Sequence, residues 1–250
     1  MTLLSGDWII LLEKDGVQKH IFGLDFGLNT SAAKLFARDK AATTDVLQHY
    51  AIPHITHRLF LRPTTKGARP EGNWSALSKW FIECGQNVVC KPNDGTGGNS
   101  VFHIQTQAEL EDIIQKLFVE ERAIAVSPFV HIESEYRLTV LKGVVELAYE
   151  KRKSKEEGFK FNLNLGASAH PITDASLLAE LRDIALNTAN ALGITFANVD
   201  IVKTDKGLFV LEVNSGVMFD HYAEQGEKER STAVAVYEKA LQELFFGSRA

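Results

Sequence analysis

The residues best suited to chemistry are Asp200, Glu212 and Asn214, set in two apolar, β-branched runs between Phe196 and Ser215. A polar stretch, Thr204-Asp-Lys-Gly207, separates the runs and has its glycine last, which predicts an antiparallel hairpin. Side chains alternate along a strand. Val210, Glu212 and Asn214 are therefore expected on one face and Phe209, Leu211 and Val213 on the other, while Asp200 shares a face with Phe196 and Val202 on the partner strand. Two carboxylates and an amide on so apolar a sheet are costly to bury unless a positive group pairs with them. A hard cation suits these donors, because Mg²⁺ takes carboxylate and carbonyl oxygens and keeps open positions for phosphate oxygens. Taken alone, the same hairpin reads equally well with its acids on a wet face.

A second stretch of chemical interest runs from Asn87 to Ile104: a strand ending in Lys91, a loop carrying Gly95, Gly97 and Gly98, and another strand. Successive backbone N–H groups in such a loop form an anion nest, and Lys91 adds a point charge. No Gly-Lys-Ser/Thr opens a helix after it, and the dinucleotide-binding glycine spacing is absent. Glu135 and Arg137 stand two apart at the entry to a further hairpin, Tyr136–Leu141 and Val144–Tyr149 joined by Lys142-Gly143, and share a face. The mixed-charge run Lys151–Glu157 reads by default as a solvated loop.

The elements that must position these groups follow from periodicity. Trp8–Leu12 reads as a buried strand with Gly16 in the next turn, and Ala37–His54 as an amphipathic helix closed by a proline turn, its Lys40 by default a solvated helix-end lysine. A polar loop from Arg62 leads to a helix that buries Trp74, Leu77 and Phe81. Thr106-Gln-Ala-Glu109 is a capping box for a helix with Leu110, Ile113, Ile114, Leu117 and Phe118 inward. Ala123–Val130 is a strand broken at Pro128. A long helix begins at about Asp174, with Leu177, Leu181, Ile184 and Leu192 inward, and stops at Gly193. A closing helix from Ser231 to Phe246 is expected to pack through Val234, Tyr237, Leu241 and Leu244.

Composition bounds the rest. Two hundred and fifty residues with 45% hydrophobic content suffice for a full core, and 27 basic against 32 acidic residues give no global basic field for nucleic acid or an anionic membrane. No run approaches the roughly 20 apolar residues of a membrane span, and Met1–Asp7 lacks the pattern of a signal peptide, so a cytoplasmic protein is expected. Cys84 and Cys90 offer neither a disulfide framework nor a zinc spacing.

In their order along the chain, these pieces resemble the ATP-grasp superfamily from about Arg38 to Ser215, most closely the branch of ribosomal-protein glutamate ligases, glutathione synthetases and the amide-ligase part of cyanophycin synthetase. The resemblance implies an α+β fold in which two lobes clasp ATP: a reduced N-terminal segment over 1–36, a small lobe over 37–127 with the phosphate loop, and a large lobe over 128–250 with the metal site. It implies that Lys40 and Lys91 contact the nucleotide, that Asp94, Gly95, Thr96, Gly97 and Gly98 belong to a loop covering the phosphates, and that Glu135 contacts the ribose. Asp200, Glu212 and Asn214 match the ligands of Mg²⁺, with Mn²⁺ the alternative ion. Lys151-Arg152 and Phe159-Lys-Phe-Asn162, with Gly166 and Ser168 after them, look like the glutamate-ligase pattern for phosphate and substrate contacts. Two stretches depart from the family. Between the lobes, Ser127, Phe129 and Val130 stand without the acidic residue that often meets adenine, leaving recognition to backbone atoms, and Ser-Gly-Val-Met-Phe-Asp-His-Tyr222 replaces the usual Pro-Gly-rich turn after Asn214.

The implied activity is ADP-forming carboxylate–amine ligation through an acyl phosphate, with Arg137, Arg152 and Asn162 stabilising the oxyanion and departing phosphate. A phosphotransferase, or a nucleotide-binding module without turnover, is the alternative on the same scaffold. Arg137, Arg152, Lys153 and Lys160 form a cationic rim that leads us to expect an acidic amino acid or peptide as substrate. The 39 residues before Lys40 are too few for a packed layer of their own. Their apolar stretch Ile21–Leu28 is expected to be covered by the lobes or by a second subunit. We favour a homodimer, with a carrier or substrate protein as the alternative.

Overall fold

The computed structural model describes residues 1–66, 70–95, 100–153, 163 and 166–246. Its first half runs β1 (Thr2–Leu4), β2 (Ile9–Lys14), β3 (Val17–Phe22), α1 (Ser31–Arg38), α2 (Lys40–His49), β4 (Arg58–Leu61), α3 (Pro70–Glu83), β5 (Val88–Pro92), β6 (Phe102–Ile104), α4 (Gln107–Glu120) and β7 (Ala123–Pro128). The second half runs β8 (Ser134–Leu141), β9 (Val144–Arg152), β10 (Ser168–His170), α5 (Ala175–Ala191), β11 (Phe196–Thr204), β12 (Gly207–Asn214), α6 (Asp220–Ala223) and α7 (Glu227–Phe246). The strands form an antiparallel meander, β1-β2-β3, a four-stranded sheet ordered β4-β7-β5-β6, and a five-stranded sheet ordered β10-β9-β8-β11-β12.

The four-stranded sheet and helices α3 and α4 share one core around Leu77, Phe81, Val88, Ile104 and Leu110. The capping box at Thr106 is present in full, with the Thr106 hydroxyl accepting from the Glu109 amide and the Glu109 carboxylate accepting from the Thr106 amide. Leu77 and Phe81 are fully buried as expected, but Trp74 lies at the helix margin, 39% exposed. The five-stranded sheet is packed on both faces. On one face, Leu138, Val140, Val199 and Ile201 meet α5 through Leu181 and Ala185, with Asp174 capping that helix and Gly193 at φ +61° ending it. On the other, Leu141, Leu147 and Phe196 meet α6 and α7. Helix α7 presents Ala233, Val236, Ala240 and Leu244 inward, and Val234 is exposed. Of the expected inward residues, Leu244 is buried and Tyr237 packs against this core, Leu241 is half-buried, and Val234 faces out.

The stretch expected as one helix from Ala37 is two. Asp39 is extended, closes α1 by donating its amide to Leu35, and caps α2 by accepting from the Ala42 amide. Helix α1 lies mostly in the expected N-terminal segment over 1–36 and α2 in the expected small lobe over 37–127, yet Ala33 and Ala37 of α1 and Leu47 and Ile52 of α2 and the turn after it pack into the core of the five-stranded sheet. The reason is local pairing: Ile55 donates its amide to Val210, and Val210 donates to Pro53, which ties the turn after α2 to the outer edge of β12. A further difference concerns Trp8–Leu12. Trp8 lies outside the strand and Ile9–Leu12 are half-buried, since the meander enters none of the three cores among the described residues.

The end of the N-terminal segment docks on its own chain. Phe26 stacks on Tyr237 and meets Phe196 edge-on, both at 5.5 Å between centroids. Asn29 donates to the Phe196 carbonyl at 2.7 Å and accepts the Thr195 and Phe196 amides, both at 2.8 Å. Among the described residues, no helix is long and apolar enough to cross a membrane. Losing those three bonds leaves backbone groups unsatisfied, so Asn29→Ala should destabilise the protein by about 1–3 kcal/mol in urea unfolding and expose the Thr195 and Phe196 amides to faster hydrogen exchange. Unchanged stability and exchange would contradict this docking.

Candidate functional site

Two β-bulges set the side chains of the site. In the β11–β12 hairpin, Ile201 pairs with Val210 but Asp200 pairs with Glu212, so Leu211 is an extra residue. In the β8–β9 hairpin, Val140 pairs with Val145 but Thr139 pairs with Leu147, so Glu146 is extra. Each bulge shifts every later pair by one residue. The first brings Glu212 opposite Asp200 and moves Val210 into the α5 core with Val213, correcting the expected alternation that put Val210 on the face of Glu212. The second brings Lys151 opposite Glu135, where uninterrupted pairing would have set Glu150. Lys239 of α7 pairs with the extra residue Glu146.

One end of the sheet's α7 face therefore carries polar groups. Arg137 donates from Nε to Asp200 Oδ1 at 2.7 Å and from its other nitrogen to Oδ2 at 2.6 Å, and Lys151 Nζ stands 3.1 Å from Oδ1. Lys151 also bonds Glu135. Asp200 is 1% exposed. Burial opposes its ionisation, but Arg137 and then Lys151 hold its carboxyl far below the ordinary carboxylate range. Burial also pushes Glu135 up, against the pull of Lys151. For Lys151, burial and Arg137 push downward, while Asp200 and Glu135 outweigh them and keep the ammonium charged. Lys151 is thus a buried strand residue and not the start of a solvated loop.

Above this floor lies a cavity of about 980 Å³ lined by Arg137, Lys151, Asn198, Glu212 and Asn214 from the large sheet, and by Lys40, Lys91, Ser127, Phe129 and Val130 on the opposite side. Lys40 is buried and not the solvated helix-end lysine of the default reading, because α2 starts against the loop after β5. It donates to the Gly95 carbonyl at 2.6 Å, and Asn93 accepts the Ala41 amide at 3.3 Å. Gly95 itself is needed for the close approach, since a Cβ there would stand 3.0 Å from Pro92. Lys91 forms no ion pair among the described residues. Burial pushes its pKa down to about 8, with Lys40 pushing further and Glu212 and Glu135 pulling back. Phe129 stacks on His103 at 3.9 Å, and Asn87 fixes the His103 ring at 2.6 Å.

Several expected residues stand differently. Asp94 lines the cavity but pairs with Arg38 at 2.7 Å. Arg152 is not among the cavity-lining residues: its Nε donates to Glu150 at 2.9 Å and its side chain is mostly exposed, since it alternates to the face opposite Lys151. Asp200, expected as a metal ligand, lies beneath Arg137 and Lys151 with both oxygens engaged by those cations, so it does not open on the cavity. Glu212 and Asn214 do, with the Asn214 amide nitrogen donating to Glu212 Oε1 at 3.1 Å, which leaves the amide oxygen out of that bond. Carboxylate and amide oxygens on one wall fit a Mg²⁺-like ion. Thr96, Gly97, Gly98, Lys160 and Asn162 lie outside the described residues. Sequence reasoning missed Lys151 as a partner of Glu135, Asn93 as the tie between α2 and β5, and His103 behind Phe129. Counting pairs back from the Lys142-Gly143 turn would have reached Lys151 only with the bulge known.

As a chemical device, the cavity offers two lysines for a polyanion facing a wall that can hold its counter-cation. Removing Lys151 leaves Glu135 buried and unpaired. Lys151→Met is thus expected to cost about 3–5 kcal/mol in urea unfolding, and adding Glu135→Gln should recover most of it. A single variant as stable as the parent would refute this network.

Comparison with known proteins bears on the same residues. The family described as "RimK-like ATP-grasp domain" matches residues 37–235. A probable alpha-L-glutamate ligase of Psychromonas ingrahamii is 31% identical over 192 residues, covering 76% of this chain and 59% of that protein. One from Maridesulfovibrio salexigens is 34% identical over 133 residues, covering 52% and 43%. The chain therefore spans about half the length of the curated relatives it matches. Among solved structures, a D-alanine–D-alanine ligase from Bacillus anthracis superposes with a TM-score of 0.64 at 18% identity, over 86% of this chain and 68% of that one. A D-cycloserine synthetase superposes with a TM-score of 0.60 at 18% identity, over 82% and 71%. These likenesses establish the fold.

Proposed function

Because this chain belongs to the RimK-like ATP-grasp family, we propose that it is an ATP-dependent, ADP-forming carboxylate–amine ligase acting on an amino acid or peptide. The observation that carries this reading is the pairing across one cavity of two buried lysines, Lys40 and Lys91, with the Glu212–Asn214 wall. In this reading the triphosphate lies between them and the base packs on Phe129, using backbone groups near Ser127 and Val130. Glu135 faces the ribose, and the lobes divide near residue 127. Mg²⁺, or Mn²⁺, held by Glu212 and Asn214 would offset phosphate charge. Asp200 serves by holding Arg137 in place.

A substrate carboxylate oxygen attacks the γ-phosphorus, the bond to the ADP oxygen breaks, and an acyl phosphate forms. Lys40 and Lys91 offset the charge that ADP gains. An amine then attacks the acyl carbon, forming the C–N bond as the C–O bond to phosphate breaks, and the amine gives up a proton. Arg137, fixed by both Asp200 oxygens, faces the cavity where the oxyanion and leaving phosphate develop. Asn162 retains the role that the family pattern implies. Arg152, turned to Glu150, is not needed for the step.

ADP release measured with and without mixed amino acids tests the proposal. Amine-dependent ADP and phosphate support ligation, a phosphorylated product points to a phosphotransferase, and nucleotide binding without turnover points to a binding module. Glu212→Ala should abolish ADP formation while leaving thermal unfolding unchanged, because Glu212 lies on the cavity wall and outside the cores.

Lys91 also sets a pH dependence. Its ammonium in the empty protein is lost as pH rises through about 8, and not near the ordinary 10.5. Phosphate binding needs the charged form. kcat/KM for ATP is expected to be level below that pH and to fall by up to about tenfold per unit well above it. Lys91→Arg, which stays charged, should remove the falling limb. A limb that persists in that variant belongs to another group.

A further inference from the structure

Past Asn214 the cavity wall changes character. Phe22, Leu24, Leu35 and Met218 line it, and Phe22, Leu35 and Met218 are 62%, 64% and 42% exposed. They come from the end of β3 and the turn after it, from α1 and from the segment after β12. Two backbone bonds close the turn: Phe22 donates its amide to Asp25 at 3.1 Å and accepts the Asp25 amide at 2.9 Å. Gly23, at φ +56°, lies under the Trp8 ring, where a Cβ would come within 2.5 Å of it. Leu24 in turn rests against Gly216, whose Cβ would stand 3.4 Å away, so this wall begins two residues beyond Asn214.

Among the described residues, the charges nearest the wall are paired: Lys34 with Asp25 at 2.6 Å and Arg38 with Asp94 at 2.7 Å, and His221 lies 3.2 Å from Glu224. Of the expected cationic rim, Arg137 is held by Asp200 and Arg152 by Glu150, Lys153 lines the cavity, and Lys160 lies outside the described residues. An incoming carboxylate side chain would compete with those acids, whereas an apolar one would gain by covering exposed carbon. Large, exposed apolar side chains gathered on one wall of a cavity mark a binding surface. Covering them would also keep water from an acyl phosphate.

We infer that Phe22, Leu24, Leu35 and Met218 receive the side chain of the amino-acid or peptide substrate, and that this side chain is large and apolar, not acidic. The inference rests on the ligase reading and names the substrate class for it. Its occupant is a leucine- or phenylalanine-like group next to the reacting end.

The test uses the full chain with MgATP and L-leucine, L-phenylalanine, L-glutamate and L-aspartate, singly, in pairs and as dipeptides, following ADP release. Combinations containing leucine or phenylalanine should exceed purely acidic ones by about tenfold or more in kcat/KM. Leu35→Asp and Phe22→Asp should each raise KM for the apolar substrate by about tenfold or more and leave KM for ATP unchanged. Turnover confined to acidic combinations overturns the inference alone. Variants that dissociate a dimer in light scattering yet keep the apolar preference also overturn it, assigning the wall to a second copy. No amine-dependent ADP release with any combination overturns the ligase reading and the inference together.

Discussion

The bidentate grip of Arg137 on Asp200 is the interaction on which the site depends. Charges so deeply buried are costly to desolvate, and they persist because each acid meets a cation in good geometry: Asp200 with Arg137 and Lys151, Lys151 with Glu135. Such a network contributes less to net stability than an apolar core of the same volume would. What it supplies is placement. Arg137 projects from the centre of a five-stranded sheet, where β8 is bonded on both sides, and Asp200 projects from β11 beside it. A guanidinium held by two bonds between neighbouring strands is fixed in orientation where it lines the cavity.

The second constraint joins the two sheets. Lys40 belongs to a helix packed on the five-stranded sheet, while Lys91 ends a strand of the four-stranded one. Their common setting is the Asn93–Gly95 loop, which bonds the first turn of α2 through both backbone and side chain. Burial is what lowers the pKa of both lysines, with Glu212 pulling each of them back up and Lys40 adding to the downward push on Lys91. Two ammonium groups from separate cores are thus held in one desolvated setting.

Much of this was legible in the chain because it is local. Capping at Thr106, the helix start at Asp174, the stop at Gly193 and the turns at Lys142-Gly143 and Thr204–Gly207 depend on neighbours in sequence, and they stand as expected. So do Leu77 and Phe81, which sit mid-face on their helix. The misses share a different origin. Trp74 and Val234 lie at the margin of apolar stripes, where tertiary packing decides exposure. The break at Asp39 is a cap within a pattern otherwise helical throughout. Lys151 sits in a charge run that composition assigns to solvent, and only long-range pairing draws it under Arg137. The two bulges leave no compositional trace, since an extra Leu or Glu in a strand looks like any other residue there.

Those bulges carry a consequence for how the chain tolerates change. Leu211 and Glu146 are the residues that the ladder leaves out, and their exclusion keeps Glu212 across from Asp200 and Lys151 across from Glu135. Were either residue taken into regular pairing instead, Leu211 would stand opposite Asp200, or Glu150 opposite Glu135, and a buried carboxylate would lose its partner. Deleting the extra residue itself removes the bulge and keeps both pairs. Each bulge is thus a spare residue: these hairpins can lose it and hold the register of the site, and what they cannot do is pair it.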